Sequence, residues 1–468
     1  MIKILFFDFR NCEIIDGFNR KIEEPKKFEG NPIFVSGHPL EENWLSLYGS
    51  VLKRHDGLWQ MWYTTVMKGK ETLVLAYAES EDGIKWRRVK KDVVTIDGEK
   101  THFIFDMEPH GAAIIYDEKE ERGKMKYKMI CGAAPSKCIS VFYSEDGIHW
   151  YSPEKNPVIG TNPDCPMALL RLPSGKYVTY HRPVFGDRRI ARSESWDFIN
   201  WSEAKTVFDQ APFDPPQIQF YGLGAIPYGE YEVGTLWMYH TDKNDFGFSK
   251  MVGGYIEPEL VYTRTGYAWH RMEINKTWIK RGEEGEWDCS MVLPASSPTF
   301  LEDEIRFYYA GQRTRHGQSL DLTGWKRSEP RSGIGFASIK PDRFVGLVAS
   351  DEGLLITRSF WTETGEFFIN ADIKGHLRVE ITDISGNPIE GFEIENSIPL
   401  TGDALFHKCK WKGNPCIEIV VNRDIRFKIK ANKAVIYSLF SGDEKEVRNY
   451  WNFRCPYYLP YKLGRIYI

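Results

Sequence analysis

A short turn motif recurs along the chain and constrains its fold more than any other feature. The clearest copies read Ser-Glu-Asp-Gly-Ile, then one variable residue and a tryptophan, and they end at Trp86 and Trp150. Looser copies end at Trp201 and Trp269, and a degenerate fifth copy ends at Phe344. Aspartate and glycine suit tight turns, so each copy predicts a strand that enters such a turn before an aromatic residue opens the next strand. The copies therefore mark five similar units.

Two further strands precede each copy of the motif. An aromatic strand follows a turn in each unit, over residues 57–63, 123–129, 175–180, 234–239 and 303–309. A short apolar strand comes before it, at residues 48–52, 112–116, 168–172, 223–227 and 297–301. Helical periodicity of useful length is nearly absent. Three or four short strands per unit, in five units, predict an all-β fold with a five-bladed β-propeller over residues 1–346.

The pattern changes after about residue 347. Short strands joined by Gly, Asn and Asp turns follow at residues 354–356, 367–370, 376–383, 416–421, 425–429 and 434–439. This spacing predicts a C-terminal β-sandwich domain over residues 347–468. The last part of that domain is rich in aromatic residues, namely Tyr450, Trp451, Phe453, Tyr457, Tyr458 and Tyr461. We expect this segment to pack on the propeller or on a second subunit, which makes it a candidate contact for a homo-oligomer.

Charge and composition exclude several classes of partner. The net charge of −4, from 61 basic and 65 acidic residues, predicts neither nucleic-acid binding nor attraction to an acidic membrane surface. Apolar stretches fall far short of the roughly 18 residues that span a bilayer, and residues 1–10 read as a strand instead of a signal peptide. The eight cysteines are scattered without a Cys-x-x-Cys pair, which favours reduced thiols in a cytoplasm. No acid or histidine spacing demands a metal, and no cofactor is predicted.

The Ser-x-Asp-Gly-x-x-Trp motif and the Gly-x-x-x-Met-Trp-Tyr strand at residues 57–63 resemble those of five-bladed propeller glycoside hydrolases. The resemblance is to family 32, and more distantly to families 43, 68 and 130. It implies a propeller with a C-terminal β-sandwich, and an enzyme that removes a terminal, furanoside-type sugar from a short oligosaccharide. The chain lacks the Trp-x-Asn-Asp-Pro-Asn-Gly and Glu-Cys signatures of the fructan-cleaving enzymes. It therefore resembles an outlying branch, and sucrose or fructan specificity does not carry over.

In propellers of this kind, side chains at the start of each innermost strand point into a central funnel. Glycoside hydrolysis needs two carboxyl groups on opposite sides of one bond, one protonated and one ionised. The acids that precede innermost strands and that we predict to be catalytic are Glu42, Asp164 and Asp288. Acids in similar positions, held in reserve, are Asp106, Glu108 and Asp214. The alternative for each is an Asx turn or a strand cap at the entrance of a blade.

Other polar and aromatic residues are predicted to line the funnel and to bind the carbohydrate. Amides, imidazoles and guanidinium groups exchange hydrogen bonds with sugar hydroxyls, and aromatic planes pack against sugar rings. The candidates are Trp44, Tyr48, His110, His181, Arg182, Gln219, Tyr221, His240, Arg313 and His316. The alternative for the histidines is that they satisfy backbone groups between neighbouring blades.

Three functions stay open at the level of the sequence. The first is a glycosidase with two carboxyl groups in the funnel, and the second is a propeller that binds sugar without cleaving it. The third is a glycoside phosphorylase, which the resemblance to family 130 implies. A loop that contains Arg313, Arg315 and His316 could then hold an anion. A carboxyl separation of about 5–5.5 Å would predict retention and about 6.5–9.5 Å inversion.

Overall fold

The computed structural model describes residues 2–70, 72–136, 138–160, 164–183, 188–242, 253–317 and 329–445. Strands make up 55% of the structure and helix 2%, which confirms the predicted all-β class. Within these ranges the two 3-10 helices are Gly123–Met125 and Ile417–Ile419. No helix in the described ranges is long and apolar enough to cross a membrane. The aromatic segment from Tyr450 to Tyr461, predicted as an oligomer contact, lies outside the described residues.

Thirty-two strands are present in the described residues. The first fifteen, in chain order, are β1 (Ile2–Leu5), β2 (Cys12–Asp16), β3 (Asn19–Ile22), β4 (Lys26–Lys27), β5 (Phe34–Val35), β6 (Glu41–Lys53), β7 (Trp59–Met67), β8 (Leu73–Ser80), β9 (Trp86–Arg88), β10 (Lys91–Ile96), β11 (Glu99–Thr101), β12 (Phe103–Phe105), β13 (His110–Tyr116), β14 (Tyr127–Gly132) and β15 (Ile139–Ser144). The others are β16 (Asp164–Arg171), β17 (Tyr177–Arg182), β18 (Ile190–Ser195), β19 (Lys205–Phe208), β20 (Ile218–Tyr228), β21 (Tyr231–Thr241), β22 (Gly254–Thr263), β23 (His270–Arg271), β24 (Met291–Pro294), β25 (Thr299–Phe300), β26 (Ile305–Gln312), β27 (Ser332–Ile339), β28 (Val345–Thr357), β29 (Phe360–Thr362), β30 (Phe367–Thr382), β31 (Leu400–Lys408) and β32 (Arg423–Ser441).

Five groups of antiparallel strands follow one another along the chain, and we number them sheets I to V. Sheet I contains β6 to β9 and β12, sheet II contains β13 to β15, and sheet III contains β16 to β19. Sheet IV contains β20 to β23 and sheet V contains β24 to β27, and one parallel pairing links β22 to β24. The N-terminal strands β4 and β5 pair with β27. The start of the chain therefore completes the outer edge of sheet V.

The first strand of each sheet lies close to its predicted position. In sheets I to IV the predicted apolar strands fall within β6, β13, β16 and β20, apart from Leu172, which follows β16. In sheet V two short strands, β24 and β25, both pair with β26. The predicted segment 297–301 covers only the second of them. The bend between the two pieces leaves β24, just after Asp288, as the strand nearest to sheet IV.

The recurring motif forms the same turn in sheets I to IV. A hydroxyl at the end of the third strand accepts a hydrogen bond from the backbone N–H three residues later. The pairs are Ser80 with Gly83 (2.9 Å), Ser144 with Gly147 (2.9 Å), Ser195 with Phe198 (2.9 Å) and Thr263 with Gly266 (3.1 Å). The four donor residues have φ between +71° and +78°. Glycine adopts that conformation without strain, which explains its presence in three of the four turns.

Three of these turns also receive a contact from the preceding sheet. An aromatic residue on the second strand of one sheet donates a hydrogen bond to the turn carbonyl of the next sheet. These bonds run from Trp62 to Gly147 (2.7 Å), from Tyr180 to Gly266 (3.2 Å) and from Tyr308 to Gly83 (2.8 Å). The last of them joins sheet V to sheet I, so the fifth sheet lies beside the first.

The first strands bond to one another as well. The Ser50 hydroxyl of β6 contacts the Ser296 hydroxyl (2.6 Å) and accepts a hydrogen bond from the Ile114 N–H of β13 (2.8 Å). The Ser296 carbonyl accepts a hydrogen bond from the Ala225 N–H of β20 (3.1 Å). These bonds bring the first strands of sheets I, II, IV and V together. Predicted site residues lie on these strands, among them Tyr48 on β6, His110 on β13 and Tyr221 on β20.

Strands from both ends of the chain form a further sheet, which we number sheet VI. Its order is β2-β28-β32-β30-β31, with β1 and β29 on β32 and β3 on β28. Residues 2–22 therefore join the sheet that the sequence analysis assigned to residues 347–468. Its predicted strand 354–356 lies within β28, and four others merge into the long strands β30 and β32. The predicted strand Cys416–Val421 is wrong, because this segment contains the 3-10 helix Ile417–Ile419.

Sheet VI is joined to sheets IV and V by a buried polar centre. The side chain of Asp342 forms an ion pair with Lys3 of β1, and both side chains are almost fully buried. Asp342 also accepts hydrogen bonds from Tyr228 of β20 (2.6 Å) and Ser438 of β32 (2.7 Å). Aromatic rings surround this centre, including Phe7, whose centroid lies 5.5 Å from that of Phe344. One carboxylate thus connects three separate parts of the chain.

Candidate functional site

Side chains from three sheets meet where the first strands begin. Tyr48 of sheet I and Tyr221 of sheet IV have their hydroxyls 3.0 Å apart. His316, in the loop after β26 of sheet V, places Nε2 3.1 Å from the Tyr221 hydroxyl and Nδ1 3.0 Å from the Tyr239 hydroxyl. We call Tyr48, Tyr221, Tyr239 and His316 the central cluster. It brings together three residues predicted from the sequence, and it adds Tyr239.

Two guanidinium groups lie against the central cluster. The Arg182 Cζ is 4.3 Å and the Arg188 Cζ 5.0 Å from the ring centroid of Tyr221. Arg182 also donates from Nε to the Tyr221 carbonyl (2.7 Å), and Arg188 donates to the amide oxygen of Gln219 (2.8 Å). Burial and the nearby Arg182 charge lower the pKa of Arg188. Cation–π contacts and hydrogen bonds thus fix both arginines beside the Tyr221 ring.

Packing holds the tyrosine rings in place. The buried indole of Trp237 stacks on Tyr48 (5.8 Å between centroids, 20°) and on Tyr221 (6.2 Å, 17°). His110, at the start of β13, makes an edge contact with the Tyr48 ring at 5.9 Å. Burial, together with the neighbouring Tyr221, raises the pKa of Tyr48 well above its usual range. Its hydroxyl therefore stays protonated at neutral pH and can donate a hydrogen bond to a ligand.

The backbone is irregular at this same end of the sheets. Register shifts interrupt the pairing of β6, β13, β16 and β20 near their N-terminal ends, and one of them falls between Phe220 and Gly222, at Tyr221. Glu108 and Cys165, which are not glycines, have φ of +46° and +50°. Bulges re-aim side chains and strained residues concentrate at functional sites, so these features support a site at this end.

Some predicted carboxyl groups lie apart from the central cluster. Glu42 is exposed and accepts a hydrogen bond from the Gly69 N–H (3.3 Å). Asp214 has a buried side chain that pairs with Arg271 (2.5 Å) and caps the Ala211 N–H (2.8 Å). These contacts match the alternative in which the acid stabilises a turn or a strand end.

Three other predicted acids lie at or just before the first strands of sheets II and III. Asp164 is the first residue of β16 and pairs in register with Arg182 of β17; its side chain lies outside the described part of the structure. Asp106 is exposed and Glu108 is half-buried, and both precede His110. The backbone thus places Asp164 opposite the arginine that packs on Tyr221.

Asp288 occupies a different environment. Its side chain is 1% exposed and accepts hydrogen bonds from Lys27 (2.6 Å) and Tyr309 (3.0 Å). A methyl group added at Gly311 would lie 2.4 Å from the Asp288 Cβ, whereas the next residue, Gln312, accepts a hydrogen bond from Trp44 (3.2 Å). Successive residues of a strand point to opposite faces. Asp288 and Trp44 therefore lie on opposite faces of sheet V.

Three other residues predicted to bind the carbohydrate make their contacts elsewhere in the protein. His181 contacts the Ser193 hydroxyl and the Arg182 carbonyl, both at 3.0 Å, within sheet III. His240 stacks on Tyr255 at 4.5 Å, and burial lowers its pKa. Arg313 donates to the Gly285 carbonyl (2.6 Å). None of these contacts involves a residue of the central cluster.

One buried ionic cluster was missed by the sequence analysis. Glu41, the first residue of β6, contacts Arg88 (2.8 Å), His102 (2.7 Å) and Tyr63 (2.7 Å). Burial opposes ionisation of Glu41, but the hydrogen bonds from His102 and Arg88 outweigh it and hold the pKa of Glu41 at about 2. His38, Glu41 and His102 have ligand atoms within 4.8 Å of one another and could share a metal ion. Arg88 already balances the charge of that carboxylate, so the donors are satisfied without one.

No protein-family model matches the chain, and no curated protein matches its sequence. Solved structures of glycoside hydrolases do resemble it. One comes from family 130, described as mannoside phosphorylases that include hydrolases targeting β-1,2 mannosidic linkages in Candida mannan; it is 15% identical over 71% of this chain and 97% of its own, with a TM-score of 0.47. A glycosyl hydrolase from Bacteroides ovatus is 12% identical over the same shares, also with a TM-score of 0.47. At such scores and identities a likeness assigns no activity.

Proposed function

We propose that this protein is a carbohydrate-active enzyme that cleaves a glycosidic bond at the central cluster. The observation that carries the proposal is the meeting of Tyr48, Tyr221 and His316, from three different sheets, within hydrogen-bond distance. Their hydroxyls and imidazole both donate and accept, and two guanidinium groups add fixed donors beside them. Rigid polar groups backed by aromatic rings suit the recognition of sugar hydroxyls.

The architecture we infer is a five-bladed propeller with a C-terminal β-sandwich. Sheets I to V would be the blades, and sheet VI, built from long strands with register shifts, would form the sandwich. The hydrogen bond from Tyr308 of sheet V to the Gly83 carbonyl of sheet I supports a closed circle, because it repeats the contact that joins the earlier sheets. In such a circle the first strands surround one axis, with the central cluster at its mouth.

Asp164 is the carboxyl group we propose as general acid or nucleophile. Its backbone lies opposite Arg182, and that arginine packs on Tyr221. We place the second carboxyl at Asp106 or Glu108, because both precede His110, whose ring contacts Tyr48. Glu42 and Asp288 are less suited, since their described contacts are with other parts of the chain.

The substrate we propose is the terminal sugar of a short oligosaccharide. The furanoside type rests only on the resemblance to family 32. Phosphorolysis is a second candidate reaction, and a specific observation favours it. Arg182, Arg188 and His316 all contact Tyr221, so an anion at the central cluster would meet three groups that can donate hydrogen bonds to it.

A substrate screen tests this proposal. The full chain is incubated with aryl furanosides, aryl pyranosides and short oligosaccharides, with and without phosphate, and sugar release is measured. We expect release from at least one class, and we expect Asp164→Asn to lower kcat/KM about 10²- to 10⁴-fold because a proton donor is lost. Asp303→Asn, at an exposed position on a turn, is the matched control and should leave activity unchanged.

Each outcome decides between the alternatives. Release without phosphate supports hydrolysis, and release only with phosphate supports phosphorolysis. Full activity in Asp164→Asn would move the chemistry to Asp106 and Glu108. Sugar binding without any bond cleavage would overturn the enzymatic proposal and favour a carbohydrate-binding protein.

A further inference from the structure

A cavity lies beside the outer strands of sheet V. Its volume is about 330 Å³, and it is bounded by the N-terminal segment around Lys27 and Asn31 and by the residues just before β24, including Trp287 and Asp288. Small-molecule sites fall in the range of about 300–1,000 Å³. The cavity is therefore large enough for one sugar ring. Several of the residues that line it are charged, unlike those of an apolar packing void.

Trp287 provides a flat wall for this cavity. Gly311 of β26 and Gly333 of β27 are partners across the two strands. A methyl group at Gly311 would lie 2.4 Å from Cζ3 of the Trp287 indole, and one at Gly333 would lie 3.2 Å from Cε3. The two glycines thus allow the indole to rest flat on the sheet, where Tyr309 stacks beside it at 5.3 Å and 20°. The half-buried indole also borders the cavity.

Charged groups of both signs surround the indole of Trp287. The Asp288 carboxylate is held by Lys27 and Tyr309, and the Lys27 side chain remains 30% exposed. Asn31 is fixed by two hydrogen bonds to the backbone of Phe336 (2.9 and 3.1 Å). Arg313 and Glu286 complete the rim with one charge of each sign. The charges that line the cavity therefore balance, which suits a neutral ligand with several hydroxyl groups better than an ion.

We propose that this cavity is a second carbohydrate-binding site that takes one neutral sugar ring against Trp287. The apolar face of the ring packs on the indole, while its hydroxyls reach Lys27 and Glu286 at the rim. The described residues that bound this cavity include no member of the central cluster, so this site is separate from it. It anchors a sugar and cleaves no bond, so it stands whether or not the central cluster is catalytic.

Binding to the full chain tests the proposal directly. Isothermal titration calorimetry with glucose, galactose, mannose, xylose and arabinose, and with disaccharides of these sugars, should detect at least one ligand with a dissociation constant of about 10 mM or tighter. The test is run on a Tyr221→Ala background, which removes the ring at the centre of the central cluster. We expect Trp287→Ala to weaken this binding about tenfold or more, and Trp287→Phe, which keeps an aromatic plane, to weaken it less.

Trp361→Ala is the matched control. Trp361 lies on β29 of sheet VI and is 48% exposed, so its loss should leave binding unchanged. Trp287→Ala should also leave turnover of a small aryl glycoside within about twofold of the parent chain, which separates this site from the proposed catalytic one. The proposal is overturned if no sugar binds on the Tyr221→Ala background, or if folded Trp287→Ala and Trp287→Phe both bind as tightly as the parent.

Discussion

Adjacent residues with the same chemistry can have different roles, and sequence alone does not separate them. Glu41 and Glu42 are adjacent at the start of the first strand of sheet I, and the sequence analysis predicts only Glu42 to be catalytic. In the structure Glu41 is buried among donors and Glu42 faces solvent. A register shift between Glu41 and Leu45 interrupts the regular alternation that would have assigned their faces. Tyr48 begins a predicted strand, Tyr221 precedes one and His316 lies in a loop after one, but their meeting depends on contacts between distant sheets.

The buried Glu41 carboxylate makes stability depend on pH. Its pKa in the folded protein is about 2, below the ordinary value of 4.5. A carboxyl whose folded pKa is depressed contributes stability above its unfolded pKa and loses it as pH falls through the folded value. We therefore expect Glu41 to contribute about 3 kcal/mol above pH 4.5 and to lose that contribution between pH 4.5 and 2.

Glu41→Gln tests this expectation by urea unfolding at several pH values. The variant should be less stable than the parent chain at pH 6, and the difference should shrink as pH falls toward 2. Glu42→Gln is the matched control, because its exposed side chain makes one long hydrogen bond. A constant difference for Glu41→Gln across this range would show that the effect comes from packing and not from the charge.

At the scale of the element, the recurring motif predicted its turn well. The hydroxyl residue, the aspartate and the glycine occur at fixed spacing, and local hydrogen bonds between them need no information from the rest of the chain. The strands of sheet VI were harder to place. β30 and β32 each continue through positions that read as turns, because pairing with long neighbours keeps those residues in the sheet. In these two strands, tertiary contacts thus outweighed the local preference for turns.

Gly83 has two separate reasons to be glycine. Its φ is +72°, and an added Cβ would lie 2.6 Å from the Tyr308 hydroxyl and 2.9 Å from the Trp59 ring. Gly57 offers a matched control, because its φ is +95° but an added Cβ would meet nothing within 4 Å. We expect Gly57→Ala to cost about 1–2 kcal/mol from the backbone alone, and Gly83→Ala to cost a further 1–3 kcal/mol from overpacking.

Urea unfolding of the two variants measures the difference. Equal losses would mean that the Tyr308 and Trp59 side chains shift without cost, and that the junction of sheets V and I tolerates a methyl group. A larger loss in Gly83→Ala would support a tight contact between sheets V and I.

At the scale of the molecule, the sequence indicated five units and a different C-terminal part, but it did not reveal how the chain ends are used. Strands β1 to β3 join sheet VI, and β4 and β5 join sheet V. Such pairings link residues hundreds of positions apart, and no local pattern encodes them. The N-terminal 35 residues therefore hold the two parts of the molecule together.

The Lys3–Asp342 pair lies at that junction, and its loss should destabilise the whole molecule. Lys3→Met removes the cation but leaves Asp342 buried beside Tyr228 and Ser438. Breaking one side of a buried pair costs about 3–5 kcal/mol, because the remaining charge keeps its desolvation penalty. Lys21→Met is the control, since its bridge to Glu23 is exposed and such pairs contribute about 0–1 kcal/mol.

Urea unfolding should give a clearly lower midpoint for Lys3→Met, with earlier proteolytic cleavage between sheets V and VI. Equal midpoints for the two variants would mean that Asp342 is protonated in the folded protein, so that its hydrogen bonds to Tyr228 and Ser438 join the sheets without an ion pair.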